Sequence, residues 1–395
     1  MTKALIIGGG IAGPVAAMAL QKAGIESSVY EAYDGPADQT GFFLNTASNG
    51  LDALNTIDLD LADRADGFPI PRMVFWNGKG KELGEVANGV RLADGTVSVC
   101  VKRGLLQKVL REEAIARGIP YEYGKRLSSY EGNAGVVAAE FTHGTSANGD
   151  LLIGADGIHS RTRRLVDPGS PAPSYTGLIG VGGYSRLDHL EPTRDVQHFV
   201  FGKKAFFGYL VRDTGEIYWF ANMAHPETTS SELAAVSPEQ WQDRLLDLFT
   251  EDTPLINRII KHSTGAIGAH PVHDIPTSPV WSRGPAVLVG DAAHATSPSA
   301  GQGVSIACED AIVLAKCLRD LPDLPSAFAA YEGLRRKRVE RVVAYARKRG
   351  SNKTAGPVAR VFRDLMMPAV LKHFASEKAH EWMYRYHIDW DEKVG

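Results

Sequence analysis

The chain has 395 residues, which is enough for two or three domains with ample cores. Its formal net charge of -3 gives no reason to expect nucleic acid or an anionic membrane as a partner. Because no apolar run reaches the length of a membrane span and the first strand begins without a signal peptide, we expect a cytoplasmic protein.

Residues 3–31 have the pattern of a β-strand, a glycine turn, a helix and a second β-strand. The turn fits G-x-G-x-x-G and has the sequence Gly8-Gly9-Gly10-Ile11-Ala12-Gly13. Gly8 permits the tight turn, Gly10 lets backbone approach a pyrophosphate, and Gly13 lets the helix lie close to the strand. The helix is expected to end at Gly24, and its first N–H groups and positive dipole end face the phosphates.

Two charged residues favour a dinucleotide site over a purely structural turn. Glu31 ends the second predicted strand, eighteen residues after Gly13, near the distance expected of a carboxylate that binds an adenosine ribose. Arg103 lies in the first turn of a helix predicted from residue 103 onward. Alone it is an ordinary solvated residue, but beside a pyrophosphate it becomes a charge partner.

From about residue 178 to residue 262 the pattern changes to alternating, aromatic-rich strands, which predicts an antiparallel sheet. The earlier turn at Asn77-Gly78 indicates a hairpin that leaves the first layer for a different sheet. If Val211 faces Glu216 across a turn, four aromatic side chains share one face. They are Phe207, Tyr209, Tyr218 and Phe220. Such a face is either core or the wall of a site for a flat apolar ligand.

Two further motifs place an aspartate just beyond a buried strand. One leads to Asp156-Gly157, which is an ordinary turn by itself but lies at the strand end where α/β sheets bind ligands. The other leads to Gly290-Asp291, and a later Gly301-Gln302-Gly303 turn opens a helix. Asp291 can accept hydrogen bonds from sugar or ribitol hydroxyls, and the helix N-terminus stabilises negative charge placed above it.

In this order the motifs resemble those of the single-component aromatic hydroxylases, flavoprotein monooxygenases of the para-hydroxybenzoate hydroxylase type. The resemblance covers most of residues 1–350, although Ser305 and Thr162 stand where the family commonly has Asn and Val. It implies an α/β fold with a Rossmann-like FAD-binding domain of the glutathione reductase type, an inserted antiparallel-sheet substrate domain and a C-terminal helical segment. The implied domains are 1–72, 98–178 and 266–320 for FAD, 73–97 and 179–265 for substrate, and 321–395 for the helical region.

The resemblance also implies non-covalent FAD, with NADPH or NADH as co-substrate. The implied cofactor-binding residues are Gly8, Gly10, Ile11, Ala12, Gly13, Glu31, Arg103, Gln107, Asp156, Asp291, Gly301, Gln302, Gly303 and Val304. Pro298 would lie near the reacting face of the flavin. No second G-x-G-x-x-G follows a later strand, so NAD(P)H is expected to bind transiently.

The implied reaction is reduction of FAD by NAD(P)H, then addition of O2 at flavin C4a to give a hydroperoxide that transfers OH to an electron-rich carbon. We expect hydroxylation of a phenolic or polycyclic aromatic, polyketide-like molecule bound against the four predicted aromatic residues, by a monomer or a homodimer. The alternatives are a related epoxidase or antibiotic-inactivating oxygenase, a flavin-linked dehydrogenase or reductase that does not use O2, and a non-catalytic redox sensor.

Other features favour structural roles. Cys100, Cys308 and Cys317 are expected to be buried free thiols, and residues 270–274 hold two histidines without a third well-spaced metal ligand. The basic residues of 335–349 are expected on the solvated face of a helix. Its inward residues would be Leu334, Val339, Val342, Val343 and Ala346. A C-terminal helical cap, or a subunit contact, is predicted from Phe362, Leu365, Met366, Leu371, Phe374, Trp382 and Tyr386.

Overall fold

A computed structural model describes residues 2–38, 41–133, 135–275, 278–350, 357–374 and 377–395. The strands are β1 (Lys3–Ile7), β2 (Glu26–Tyr30), β3 (Phe43–Thr46), β4 (Phe68–Pro69), β5 (Arg72–Asn77), β6 (Glu82–Ala87), β7 (Val99–Lys102), β8 (Tyr121–Glu122), β9 (Leu127–Asn133), β10 (Val136–Phe141), β11 (Ser146–Gly149), β12 (Leu151–Gly154), β13 (Ser174–Arg186), β14 (Val196–Phe201), β15 (Ala205–Val211), β16 (Glu216–Ala224), β17 (Ser263–Asp274), β18 (Ser282–Arg283) and β19 (Ala286–Leu288).

The helices alternate with these strands in the first half of the chain and dominate its last quarter. They are α1 (Ala12–Lys22), α2 (Ser48–Asn55), α3 (Leu61–Arg64), α4 (Arg103–Ala116), α5 (Arg161–Val166), α6 (Ser230–Ala234), α7 (Pro238–Leu248), α8 (Pro254–Lys261), α9 (Asp291–His294), α10 (Gly303–Asp320), α11 (Leu324–Gly350), α12 (Pro357–Phe374) and α13 (Glu381–Tyr384). Short 3₁₀ turns lie at Pro298–Ala300 and Glu377–His380.

A six-stranded sheet carries the amino-terminal motif, in the order β18-β19-β12-β1-β2-β8. Its strands pair in parallel except for β18, which is antiparallel to β19. β12 is fully buried and β1 nearly so, as expected of parallel strands covered on both faces. Because β1, β12 and β19 are neighbours, the loops that follow them meet at one edge of the sheet.

The turn after β1 requires glycine at two positions. Gly8 has φ +108°, and a Cβ built on it would lie 2.5 Å from the carbonyl oxygen of Ala155. A Cβ built on Gly13 would lie 1.9 Å from the carbonyl oxygen of Gly8, so a side chain there would push α1 away from β1. The helix ends at Lys22, just before Gly24 with φ +75°, as the sequence predicts.

The second large sheet has the order β17-β13-β16-β15-β14-β5-β6, and its neighbouring strands are antiparallel except for β14 and β5. Helices α7 and α8 cover one face, where Trp241 and Leu245 join a buried apolar cluster. The other face packs on the small sheet β3-β7-β4 through a cluster that includes Phe68 and Tyr218. This seam between the two halves of the protein borders the candidate site.

The predicted register of the β15–β16 hairpin is wrong by one residue. Val211 pairs with Ile217, not with Glu216, because the backbone of Arg212 pairs with Glu216 and closes a three-residue loop. Gly215 ends this loop with φ +77°, which is typical of a three-residue hairpin turn. Since side chains alternate along a strand, a shift of one residue moves half of the four predicted aromatic residues to the opposite face.

Two predicted domain boundaries fall inside continuous strands. β13 passes through the boundary at residue 178, and β17 passes through the boundary at residue 265. Both strands belong whole to the seven-stranded sheet, so residues 174–178 and 266–274 lie in that sheet and not in the parallel one. The division into domains stays a prediction.

Helix α11 has most of its predicted buried face. Val339, Val342, Val343 and Ala346 are buried as predicted. The predictions for two other positions are wrong, since Leu334 is 50% exposed and Arg335 is fully buried. Arg335 lies inside because Glu309 and Asp310 of α10 neutralise its charge.

The C-terminal apolar residues divide into two groups. Trp382 and Tyr386 pack on the body of the protein as predicted, and the three cysteines are buried and free. The outer side chains of α12 are exposed, contrary to the predicted cap, because the opposite side of that helix makes its contacts. The side chain of Phe374 lies outside the described residues. Among the helices of the described ranges, none is long and apolar enough to cross a membrane.

Candidate functional site

Three loops meet at the carboxyl edge of the parallel sheet. They follow β1, β12 and β19 and contain Gly8–Gly13, Asp156–Gly157 and Gly290–His294. Parallel pairing in register brings their starting points to the same level. Ile11 caps α1 and Ala12 begins it, so the N-terminus of this helix lies at the same edge. The structure thus brings together the three predicted motifs, where open α/β sheets bind ligands.

Glu31 and Tyr121 hold the glycine turn from one side. The Glu31 carboxylate accepts hydrogen bonds from the N–H of Gly9 at 2.7 Å and from the N–H two residues beyond Glu31 at 3.0 Å. The Tyr121 hydroxyl donates to the carbonyl oxygen of Gly9 at 2.6 Å. The other side is open, because the atom nearest to a Cβ built on Gly10 is Nε2 of Gln107, 3.9 Å away. A phosphate can approach the backbone there.

Asp156 stabilises its own loop. Its carboxylate accepts hydrogen bonds from the N–H and the hydroxyl of Thr162, at 2.9 and 3.0 Å, and from the hydroxyl of Ser160. Thr162, which departs from the usual family residue, therefore adds a donor to Asp156. The buried Arg163 ties this loop to the next one by donating to the carbonyl oxygen of Ala292 at 3.0 Å.

Asp291 presents a carboxylate in a recess between the loops. Gly290 directly before it has φ +59°, and a Cβ built there would lie 3.0 Å from Cβ of Ala307. The Asp291 side chain is open to solvent yet surrounded by protein, so burial raises the pKa of its carboxyl, opposed by His294 and Arg103. No described residue donates a hydrogen bond to this carboxylate, which therefore suits the hydroxyl groups of a ligand.

Arg103 and His270 line the same recess. The aliphatic part of the exposed Arg103 lies against Gly41, where a built Cβ would be 2.9 Å from its Cδ. His270 is open to solvent yet surrounded by protein, so burial, with the nearby charge of Arg103, lowers its pKa to about 4 and the ring is neutral at neutral pH. Within the described ranges there is no group of three His, Cys, Asp or Glu residues that could hold a metal ion. The ring of His270 is 5.5 Å from that of Phe42.

Amide side chains hold the turn that precedes α10. Gly301 has φ +62°, and the buried Gln302 accepts a hydrogen bond from Nδ2 of Asn49 at 3.0 Å. Asn45 lies beside Gly301, with its Cβ 3.7 Å from a Cβ built on that glycine, and its amide donates to Oε1 of Gln197 at 2.8 Å. Because Gln197 belongs to β14, this bond joins the turn to the second sheet.

The start of α10 supplies the remaining predicted residues. Pro298 is exposed and begins the preceding 3₁₀ turn, Gly303 begins the helix, and Val304 is half-buried. The first N–H groups of α10 give this end a positive dipole. Ser305 replaces the usual family Asn where α10 crosses α2: a Cβ built on Gly50 would lie 2.5 Å from the Ser305 hydroxyl, so the crossing has little room for a larger side chain.

Asp310 of α10 holds the Gly290–Asp291 turn from within the core. Its carboxylate accepts hydrogen bonds from the N–H of Gly290 at 3.0 Å, from Nε of Arg335 at 2.7 Å, and from the ring of His294. Burial alone would raise the pKa of Asp310, but His294 and Arg335 outweigh it and hold that pKa below its usual value. The carboxylate is therefore charged, and the turn that presents Asp291 has a fixed position.

Glu309, next to Asp310, connects the other half of the site with the C-terminal segment. It accepts hydrogen bonds from Asn49 at 2.6 Å and from Arg338 at 2.7 and 2.8 Å, and it pairs with Arg335 at 2.6 Å. Arg338 is half-buried, because its guanidinium turns inward to Glu309 and donates to the carbonyl oxygen of Trp382 at 2.9 Å. The network thus runs from the two loops of the recess to the chain's last helix.

Comparison with known proteins decides which group these loops hold. The family model described as "FAD binding domain" matches residues 1–346, most of the chain. The chain belongs to the FAD-dependent aromatic hydroxylase family. FAD is its cofactor, and it is a monooxygenase, as the resemblance implied.

Individual relatives agree with this assignment. The chain is 32% identical over 343 residues to an aurachin C monooxygenase/isomerase of Stigmatella aurantiaca, covering 86% of each chain. It is 30% identical over 353 residues to an FAD-dependent urate hydroxylase of Klebsiella pneumoniae, covering 88% of this chain and 89% of that one. The crystal structure of HpxO from Klebsiella pneumoniae with FAD and uric acid superposes with a TM-score of 0.84 at 26% identity, covering 96% and 97% of the two chains.

Two of the four aromatic residues predicted for the substrate wall of this hydroxylase face the seam with the FAD loops. Phe220 is half-buried, with its ring 6.0 Å from that of Phe43. Tyr218 is 1% exposed, its ring is 5.3 Å from Phe43, and its hydroxyl accepts a hydrogen bond from Arg212 at 3.0 Å. Phe220 is therefore partly exposed at this seam, whereas Tyr218 is part of its buried core.

The other two lie on the opposite face of the sheet, so the prediction of one shared face is wrong. Phe207 is fully buried and stacks on Trp219 at 5.9 Å between ring centres. Tyr209 stacks on His198 at 5.0 Å, beside a groove lined by residues of β5, β14 and β15. The one-residue register shift is the cause. As placed here, neither ring can contact a ligand in the recess.

Phe42 and its glycine partners were missed by sequence reasoning. A Cβ built on Gly268 would lie 2.9 Å from the Phe42 ring, and one built on Gly182 would lie 3.3 Å from it. The Phe42 ring thus packs directly on the backbone of these two glycines in β17 and β13. Glycine inside a strand marks a close approach of this kind, and that signal could have identified the contact.

Proposed function

We propose that the enzyme uses NAD(P)H and O2 to hydroxylate a phenolic or polycyclic aromatic molecule. The contacts that support this proposal most connect the cofactor loops with aromatic side chains. Arg103 lies near Asp291, and its backbone N–H donates to the carbonyl oxygen of Phe42 at 2.8 Å. The ring of Phe43, the next residue, is 6.0 Å from that of Phe220. A flat ligand placed there would lie between the cofactor loops and aromatic side chains.

The residues present fit FAD. Gly10 leaves an open path to the glycine turn, Arg103 supplies a positive charge, and Asp291 has a carboxylate without a donor among the described residues. We assign the pyrophosphate to the first two and the ribitol to Asp291, with Gly301, Gln302 and Gly303 beside the ring system. When bound, FAD supplies the redox chemistry with oxygen, and the chain supplies position and shelter from water.

We assign the adenosine ribose to Glu31, which also has a structural role in the glycine turn. One oxygen of this carboxylate already accepts a hydrogen bond from Gly9, and the other from the backbone two residues beyond it. A carboxylate oxygen has two lone pairs, so each can accept one ribose hydroxyl in addition. Glu31 would therefore hold both the turn and the ribose.

The amide pair of Asn45 and Gln197 is the polar group next to the substrate position. Asn45 lies beside Gly301, and its hydrogen bond to Gln197 is 2.8 Å. Such amides can orient a hydroxyl or carbonyl of the substrate without adding a charge. His270, neutral because burial lowers its pKa, provides another uncharged polar group across the recess.

Charges near the aromatic wall are paired, which favours a substrate without a free carboxylate. Arg212 donates to both oxygens of Asp66 at 2.6 Å, and Lys102 donates to Glu216 at 2.8 Å. Both cations also lie against the Tyr218 ring. A substrate carboxylate would have to displace one of these partners and would leave an acid unpaired.

The test is NADPH and NADH oxidation by the FAD-loaded protein across phenols, quinolones, purines and polycyclic aromatics, with hydrogen peroxide counted. A compound that stimulates oxidation with little peroxide and gains one oxygen supports the proposal. Oxidation that proceeds equally well without O2, with an artificial acceptor, would favour a dehydrogenase or reductase. A product that is an epoxide or a ring-opened compound would favour the related oxygenases.

A further inference from the structure

Helix α12 exposes an apolar stripe. Phe362 is 63% exposed, Leu365 73%, Met366 55% and Val370 42%. Their spacing of three and four residues places them on one side of the helix. Half of the large hydrophobic side chains that are exposed in the described chain belong to this one helix, so the stripe is a feature of α12 and not of the surface in general.

The stripe is not what attaches α12 to the protein. The opposite side carries Met367 and Leu371, which join an apolar cluster of the second sheet. Leu371 lies 3.1 Å from a Cβ built on Gly84 of β6, and Asp364 accepts a hydrogen bond from Asn77 at 3.2 Å. The helix is therefore fixed by its inner side and leaves the apolar side free to bind something else.

Basic residues border the stripe at both ends. Arg360 is on the first turns of α12 and donates to the carbonyl oxygen of Lys203 at 2.6 Å, which places the exposed Lys204 nearby. Lys372 is exposed on the last turn. Acidic residues also lie here: Glu251, which pairs with Lys203, is near Lys204 and Arg360, and Asp252 is near Arg360. With Arg363, which pairs with Asp364, and Lys372, five basic residues face these three acids, although the whole protein has a net charge of -3. The charge around α12 thus has the opposite sign to that of the whole molecule.

We infer that the outer face of α12 binds the surface of an anionic lipid membrane, with the helix lying in the plane of the interface. An apolar face bordered by cations is the pattern by which helices bind such surfaces without crossing them. A second copy of the chain fits less well. Four apolar residues are few beside the roughly 20–30 residues per partner of a stable interface, and a two-fold axis would bring the two basic ends together.

Docking by α12 would bring the substrate recess to the membrane. Met367 and Leu371, on the inner side of the helix, belong to the same cluster as Phe199, Phe206 and Phe220. Phe220 is the half-buried residue of the proposed substrate wall. This consequence rests on the proposed function: an apolar aromatic substrate dissolved in lipid would enter beside the helix, whereas the binding of α12 to lipid does not depend on catalysis.

The test is flotation of the FAD-loaded protein with vesicles of phosphatidylcholine alone and of phosphatidylcholine with phosphatidylglycerol, at low and high salt. The wild type is expected to float with the anionic vesicles and to be released by salt. A double variant, Leu365→Asp with Met366→Asp, should lose about tenfold or more of this binding. The control is Leu334→Asp on α11, since Leu334 is a leucine of similar exposure, 50%, away from the stripe.

Three results would overturn the inference. One is a wild type that stays with the soluble fraction at every vesicle composition, and another is a double variant that floats as well as the control. The third is a concentration-dependent dimer that the double variant abolishes, which would assign the stripe to a second copy. FAD content and NAD(P)H oxidation with a water-soluble substrate are measured on the same samples, so a failure of the monooxygenase proposal is seen separately.

Discussion

Replacing Arg335 by Met tests whether the buried charge network stabilises the FAD loops. The side chain is fully buried and pairs with Glu309 at 2.6 Å and Asp310 at 2.7 Å. Methionine has a similar length and no charge, so the substitution removes the cation with little change in volume. It leaves Asp310 with His294 and the Gly290 N–H as its remaining partners.

Removing one partner of a buried ion pair costs about 3–5 kcal/mol, because the other charge stays desolvated. Arg338 still neutralises Glu309, so we expect the lower end, about 3 kcal/mol. The free energy of unfolding falls by about 3 kcal/mol per M of urea, so the midpoint of unfolding would shift down by about 1 M. The difference in unfolding free energy between the wild type and Arg335→Met should shrink as the pH is lowered from about 8 to about 5. An unpaired buried carboxyl has a raised pKa, so it takes up a proton in this range.

Urea unfolding is followed by circular dichroism and by flavin fluorescence. The first signal reports unfolding of the protein, and the second reports release of FAD from its site. The control is Arg385→Met, because that residue is 56% exposed and forms a single 3.4 Å pair with Glu381, so its loss should cost at most about 1 kcal/mol. If both variants shift the midpoint equally, the reasoning about buried charge is wrong.

Gly10→Ala should leave stability unchanged and weaken FAD binding about tenfold or more by calorimetric titration, because the added Cβ has no protein atom nearer than 3.9 Å and occupies the path of the pyrophosphate. Phe220→Ala should raise the fraction of NAD(P)H oxidation that ends in peroxide, measured by a coupled peroxidase assay, whereas Phe207→Ala, on the far face, should cost about 3–5 kcal/mol of stability. The hydrogen bond from Arg319 lowers the pKa of Asp320 to about 2 from 3.8, so its stabilisation is present above pH 3.8 and is lost as the pH falls through about 2. Asp320→Asn should flatten acid unfolding in that window.

Each of these predictions has a contrary outcome. A Gly10→Ala protein that purifies with full FAD would remove the pyrophosphate from that position. Peroxide that rises in Phe207→Ala and not in Phe220→Ala would place the substrate on the helix-covered face. Equal slopes of stability against pH for the wild type and Asp320→Asn would show that this carboxyl titrates alike in the folded and unfolded chain.

Local patterns were enough to predict the cofactor edge. The Gly8–Gly13 turn and the aspartates at 156 and 291 each follow a buried strand, and parallel strands bring such residues to one edge whatever lies between them. Nothing beyond strand direction and neighbour order is needed for that result. The cofactor edge was therefore accessible from these patterns, and FAD itself from the family resemblance that they carry.

The substrate side depended on geometry that a linear pattern does not contain. The register of the β15–β16 hairpin depends on whether Arg212 belongs to the strand or to the loop. A difference of one residue there determines which face of the sheet Phe207 occupies relative to Phe220. His270 and Asn45 reach the recess from elements far apart in sequence. Arg335 has the sequence pattern of a surface residue because its acidic partners are on another helix.

The most direct test of the central claim is the fate of labelled oxygen. The FAD-loaded protein is incubated with NAD(P)H and ¹⁸O2 and with the aromatic compound that best stimulates oxidation, and the product is analysed by mass spectrometry. Because the proposed function places an aromatic ring beside the cofactor, we expect one ¹⁸O atom per product molecule, with little peroxide. A product whose added oxygen comes only from water, or an oxidised product without added oxygen, would contradict the account.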